Sequence, residues 1–156
     1  MAEPKILREL LGLLGRSEIP VEVRSVVADE LGKHRYLPAK DLLMQGLTDA
    51  NANMRSACIR ALGIEMEVRE AAPLLVEILL HDEFEHVQID AAYGLGALRY
   101  KPALAALKEA TLDESRDMTT RGAAYEAILS ILDRESDEIP DFGAPTVIDW
   151  DFVRDL

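Results

Sequence analysis

Aromatic residues make up only 5% of this 156-residue chain, with a single Trp among them. Ala and Leu dominate the apolar set instead, which disfavours a sheet rich in Val, Ile and aromatic residues and favours closely packed helices. One cysteine, Cys58, excludes an intrachain disulfide and suits a reducing compartment. Long apolar runs are also missing. "PLLVEILL" is far short of the ~20 residues that span a bilayer, and the acids in "MAEPKILREL" break up any signal-peptide core. The expected location is therefore cytoplasmic. Basic side chains number 17 against 29 acidic ones, for a net charge of −12. Residues 106–156 alone hold thirteen acids and five bases. Such a field opposes phosphate backbones and suits a basic protein surface, so the expected partner is a protein and not a nucleic acid or a membrane. No Gly-rich phosphate loop, nucleophile elbow or Cys-x-x-Cys occurs, so no enzyme activity and no cofactor are expected.

What the sequence does contain is a repeat. "GKHRYLP" (Gly32–Pro38) and "GALRYKP" (Gly96–Pro102) share Gly, Arg, Tyr and Pro in register, and "GIEMEVREAAP" (Gly63–Pro73) lies between them with four extra residues. Apolar segments precede each: "VRSVVADELG", "MRSACIRALG" and "VQIDAAYGLG", with a fourth copy, "TRGAAYEAIL", at Thr120. Arg24, Arg55, Gln88 and Arg121 hold one register across the copies. Counted from them, positions −1, +3, +4 and +7 form one helical stripe: Val23, Val27, Ala28 and Leu31 in the first copy, Met54, Cys58, Ile59 and Leu62 in the second, Val87, Ala91, Ala92 and Leu95 in the third, Thr120, Ala124, Tyr125 and Ile128 in the fourth. Gly at +8 in three copies predicts a left-handed helix terminus, and Pro38, Pro73 and Pro102 predict the first turn of the next helix. The spacing gives eight helices paired at about residues 4–32, 38–63, 70–97 and 102–133.

These segments resemble the HEAT-repeat family, in the short form found in phycobilisome lyases, with a V-R-x-x-A-A-x-A-L-G helix followed by A-x-P-x-L-x-x-x-L. The resemblance, carried by about residues 4–133, implies an all-α, right-handed α-solenoid of about four helical hairpins over residues 1–135; composition adds an acidic C-terminal tail at 136–156. The resemblance also implies that the Arg-bearing helices line a concave side and that an acid stands in the turn before each Arg, where Glu18, Asp49 and Asp82 occur; Asp113 or Asp117 fits the longer last turn. Gln88 in place of Arg predicts a weaker rung.

"HDEFEH" (His81–His86) has the vocabulary of a metal site, but no second His-rich element supplies further ligands, and it reads as a polar inter-helix turn. One HEAT-like enzyme, deoxyhypusine hydroxylase, binds iron through His-Glu dipeptides. The matching positions here are Ser25-Val26, Ser56-Ala57, Ile89-Asp90 and Gly122-Ala123, so that activity does not carry over. His34, opposite Leu98 of the sister copy, reads as a half-buried loop histidine, and Cys58 as an inert packing residue.

With +3, +4 and +7 buried, positions +1, +2 and +5 face the groove. The candidate partner-binding residues are Val26, Asp29, Ser56, Arg60, His86, Ile89, Asp90, Tyr93 and Glu126, with Tyr93 as the central anchor. The expected function is a non-enzymatic module gripping a basic protein or peptide segment, of the kind an immunity protein or antitoxin provides. The alternative is a subunit of a bilin lyase or chaperone, which the same resemblance implies. In the tail, Pro140, Gly143 and Pro145 break helical continuation, while apolar residues lie interleaved among six acids. A terminal repeat needs a cover for its free flank, so "TVIDWDFVRDL" is expected to fold back with Trp150 and Phe152 against the last helix near Ile128 and Leu132; the alternative is a free acidic-aromatic motif through which Trp150 and Phe152 contact a partner.

Overall fold

The computed structural model describes residues 5–133 and 147–156, which are helical with no strand among them. Pro4, the boundary near residue 135, and Pro140, Phe142, Gly143 and Pro145 lie outside these residues. The chain runs through α1 (Lys5–Leu14) and α2 (Val21–Lys33), then α3 (Lys40–Gly46) and α4 (Ala52–Ile59). It continues through α5 (Ala72–His81), α6 (Glu85–Ala97), α7 (Leu104–Leu112), α8 (Met118–Ile131) and the short α9 (Trp150–Asp155). Each odd helix up to α7 packs on the even helix after it, and α2, α4, α6 and α8 pack side by side in a row, forming an α-solenoid.

Local chemistry starts and stops these helices. Asn51 caps α4 by accepting from the amides of Asn53 and Met54 at 2.9 and 3.2 Å, and Asp117 caps α8 through the amides of Thr119 and Thr120. α3, α5 and α7 are each entered through a single 3₁₀ turn whose last residue, Ala39, Ala71 or Ala103, is fully buried. Pro38 and Pro102 sit in those turns, but Glu70 holds the equivalent place in the middle one; Pro73 falls later, in the first turn of α5 itself. α4 runs on into a π-helical stretch, Arg60–Glu65, which lodges an extra residue without breaking the helix. Together these account for the longer spacer that the sequence shows in this copy.

The expected stripe is buried at every position but Val23, which is 46% exposed because none of the described residues covers that side of α2. The expected role of the repeat glycines is not what the structure shows. Gly32 and Gly96 lie inside α2 and α6, Gly63 lies in the π-helical stretch, and the left-handed residues are Arg35, Glu67, Arg99 and Asp133, with φ between 47° and 55°. The glycines serve close approach instead. A Cβ on Gly32 would stand 2.7 Å from Ala61 Cα, one on Gly63 2.9 Å from Gly94 Cα, and one on Gly96 3.0 Å from Ala127 Cα. Helix axes that near leave room for no side chain at the seam. The left-handed residues line one edge, where Arg35 pairs with Glu67 at 2.5 Å and Arg99 with Asp133 at 2.6 Å.

Candidate functional site: the face of the even-numbered helices

The register residue of each even helix turns back to cap a carbonyl of the segment before it. Arg24 Nε donates to Ile19 O, Arg55 Nη1 to Asp49 O, Gln88 Nε2 to Asp82 O and Arg121 Nε to Thr111 O. Two of them also reach forward. Arg24 approaches Asp49 at 3.9 Å, and Arg55 forms a two-pronged pair with Asp82 at 2.7 and 2.8 Å, with both side chains largely buried. Burial opposes ionisation of Asp82, but the hydrogen bonds from Arg55 and the Phe84 amide hold its pKa below the ordinary carboxylate range. The rung at Gln88 is rebuilt from the other side. Arg116 donates to Gln88 Oε1 at 2.6 Å, to the Leu79 and Leu80 carbonyls that end α5, and to Asp113. Arg121 lies over the Trp150 ring, 4.6 Å from its centroid. Sequence reasoning missed Arg116; its one signal was a basic residue in the longest turn, opposite the only copy lacking Arg.

"HDEFEH" divides between three jobs. His81 Nε2 lies 3.7 Å from Glu77 on the exposed end of α5, Asp82 pairs with Arg55, and His86 packs its ring against Phe84 at 5.8 Å on the opposite side of the turn. Among the described residues, no three His, Cys, Asp or Glu side chains converge as a metal site would require. His34 is exposed and 3.3 Å from Glu30, not half-buried, because an imidazole can reach solvent past the helix end where Leu98 is only 4% exposed. Cys58 is fully buried, and burial pushes its thiol up to about 12.

On the face of α2, α4 and α6 lies an open concavity of about 450 Å³. Of the residues expected on the groove face, Ser25 (position +1), Asp29, Ser56, Arg60, His86, Ile89 and Asp90 line it, joined by Glu22 and Asn53. Its centre is a clamp. Arg60 donates from Nε and Nη2 to Asp29, and from Nη1 to Asp90 and Ser56 at 2.8 Å each, while Ser56 Oγ donates to Asp90. Tyr93 and Glu126 continue this polar line onto α8, with the Tyr93 hydroxyl hydrogen-bonded to Glu126 and its pKa raised by burial and by that carboxylate. Val26, Tyr93 and Glu126 are not part of the lining; Val26 is 66% exposed on α2 and Tyr93 40% exposed on α6. Ala57 and Ala123, placed on the same face by the +2 register, are buried, since a side chain ending at Cβ does not project past a close helix seam.

The C-terminal residues make a second contact zone. Ile148 and Val153 are buried against Tyr125 and Leu129, and Trp150 and Phe152 pack at the edge of that cluster with Leu112. The Phe152 ring meets Tyr125 edge-on at 6.4 Å.

A family model described as HEAT repeats matches residues 40–129. No curated protein matches the chain. HEAT repeats generally mediate contacts between proteins and are typically non-enzymatic scaffolds. With that match spanning more than half its length over consecutive packed helix pairs, the chain belongs to the HEAT-repeat family.

Proposed function

We propose that this protein is a non-enzymatic interaction module, a short right-handed solenoid of about four helical hairpins, that holds a basic segment of another protein against α2, α4 and α6. The observation that carries the reading is the state of Arg60. Asp29, Asp90 and Ser56 engage all three of its guanidinium nitrogens, so the one Lys or Arg in the lining is already matched by carboxylates of this chain. Glu22, Asp29 and Asp90 outnumber it, and the whole chain carries −12. A cationic segment is complementary to that surface, and its encounter is accelerated by the long-range field. An immunity or antitoxin role against a basic toxin in the cytoplasm fits this chemistry. Tyr93, half-exposed beside Asp90 and Glu126, is the aromatic anchor at the groove's edge.

The test uses three labelled peptides of equal length and apolar content, with net charges of +4, 0 and −4, titrated at low and high salt. The cationic peptide binds, weakens as salt rises, and loses roughly tenfold or more in affinity on Tyr93→Ala, about 1.4 kcal/mol or greater. Equal binding of the neutral peptide, or indifference to Tyr93→Ala, overturns the reading.

A further inference from the structure

The helix seams define two positions that the solenoid uses over and over. The glycine eight residues after the register position faces forward, and the small residue six after it faces back: Gly32 on Ala61, Gly63 on Gly94, Gly96 on Ala127. Both ends of the row break this rule. On α2 the backward position is Glu30, paired with Lys33 and His34. On α8 the forward position is Leu129, 7% exposed, where every earlier copy has Gly. Leu129 forbids a further helix at seam distance and gives an apolar anchor in its place. What sits on it is the chain's own segment Val147–Leu156.

The contacts have the character of a ligand in a site. Asp149 caps α9 by accepting from the Phe152 amide at 3.0 Å, Trp150 stacks on Arg121, Phe152 meets Tyr125, and Val153 is fully buried. Lys108 Nζ donates to the Arg154 carbonyl at 2.8 Å. The buried residues Tyr125, Leu129, Ile148 and Val153 form a cluster of their own at the end of the row, and Phe152 also touches the main core. Thirteen residues separate Asp133 from Val147 in the sequence, a connection that reaches about 45 Å at full extension.

We propose that the α7–α8 flank is a docking site for a short acidic-aromatic helix, that Val147–Leu156 is its ligand in cis, and that a second copy of the chain supplies the same segment in trans. Tethering puts the cis segment at an effective concentration in the millimolar range, so exchange between copies requires that one cis contact be weakened. The inference does not rest on the groove reading and survives its failure.

The test is complementation between two full-length variants. Val153→Asp leaves the flank intact and spoils the segment; Leu129→Glu spoils the flank and leaves the segment intact. Each alone sediments as a monomer at micromolar concentration, and an equimolar mixture forms a one-to-one complex. A labelled peptide of residues 147–156 binds the Val153→Asp chain at least tenfold tighter than the wild type, and a peptide with Trp150 and Val153 both replaced by Ala binds neither. Absence of the mixed complex overturns exchange between copies. Equal peptide binding to wild type and Val153→Asp overturns cis occupancy. If Val153→Asp and the milder Trp150→Ala both abolish the main thermal transition, the segment is core and not ligand, and the proposal fails.

Discussion

Gly32→Ala sets two effects of known size against each other. Inside a helix, Ala is favoured over Gly by up to ~1 kcal/mol, so propensity alone makes the change stabilising. The new methyl would stand 2.7 Å from Ala61 Cα, whereas carbon atoms rest at about 3.5–4.0 Å. The atom it meets is backbone, fully buried, and part of the π-helical stretch, so no side chain can swing aside and α2 must move by about 1 Å relative to α4. Overpacking of that kind costs ~1–3 kcal/mol, which outweighs the propensity gain. The expected net loss is about 1–2 kcal/mol, a drop of roughly 2–8 °C in Tm for a chain of this size. Gly12→Ala is the matched control. It lies on an exposed turn of α1 with nothing within 4 Å of the added methyl, so the same substitution raises Tm by up to about 4 °C. Arg35→Gly separates close approach from helix termination. The left-handed residue is Arg35, at φ 48°, so glycine there relieves strain and offsets the loss of its exposed pair with Glu67. Thermal unfolding of the three variants by circular dichroism decides. A Gly32→Ala chain as stable as Gly12→Ala would refute the seam.

Asp82→Asn removes one half of a largely buried pair while keeping the side chain's shape, and should cost about 1–3 kcal/mol by urea titration. Asp82, Asp113 and Asp117 all have folded pKa values below the ordinary range, so their contribution is complete above about pH 4 and is lost as pH falls through the depressed values. The acid limb of a stability–pH curve should therefore flatten in Asp82→Asn; an unchanged limb removes Asp82 from the account. The Cys58 thiol, buried and pushed up to about 12, should react with a disulfide reagent only as fast as the protein opens, and immediate labelling of folded protein would contradict its burial. Arg121→Ala should shift the emission of Trp150, the sole tryptophan, to the red; no shift would mean that the indole does not rest on that guanidinium.

The family and the helical class were legible in the sequence because a repeated core imposes the same demand at the same position in each copy. Only glycine fits at the forward position of a seam, so Gly32, Gly63 and Gly96 recur, and the stripe recurs with them. Recurrence marks the position without naming the cause. A glycine at a helix end reads as a left-handed terminus, and close approach to Ala61 or Ala127 becomes visible only when two helices are placed together. The spacer of the second copy was legible only as four extra residues, for a related reason. Proline draws the eye as the fixed point, yet the conserved physical demand in those 3₁₀ turns is the buried methyl of Ala39, Ala71 and Ala103, and proline is free to shift around it. The clamp was the least legible part. Arg60 lies on the groove face by register, but that Asp29 and Asp90 close on it from both neighbouring helices depends on the offset between adjacent helices, which no single copy encodes.

That clamp also ties recognition to architecture. Asp29, Arg60 and Asp90 come from α2, the π-helical continuation of α4, and α6, so the charges that shape the concavity are the same ones that fix the spacing of the helices beneath it. A side chain free to swing would lose conformational entropy on binding; one already held by its neighbours loses little. Removing Arg60 then has two consequences. It leaves two carboxylates facing each other across a partly buried gap, which weakens the fold, and it makes the concavity more negative, which strengthens the attraction for a cation. Arg60→Ala should lower Tm by several degrees and, in the folded fraction, bind the cationic peptide at least as well as the wild type. Arg60→Ala weakening the cationic peptide as much as Tyr93→Ala does would show instead that the guanidinium itself touches the ligand, and the charge argument for a basic partner would fall with it.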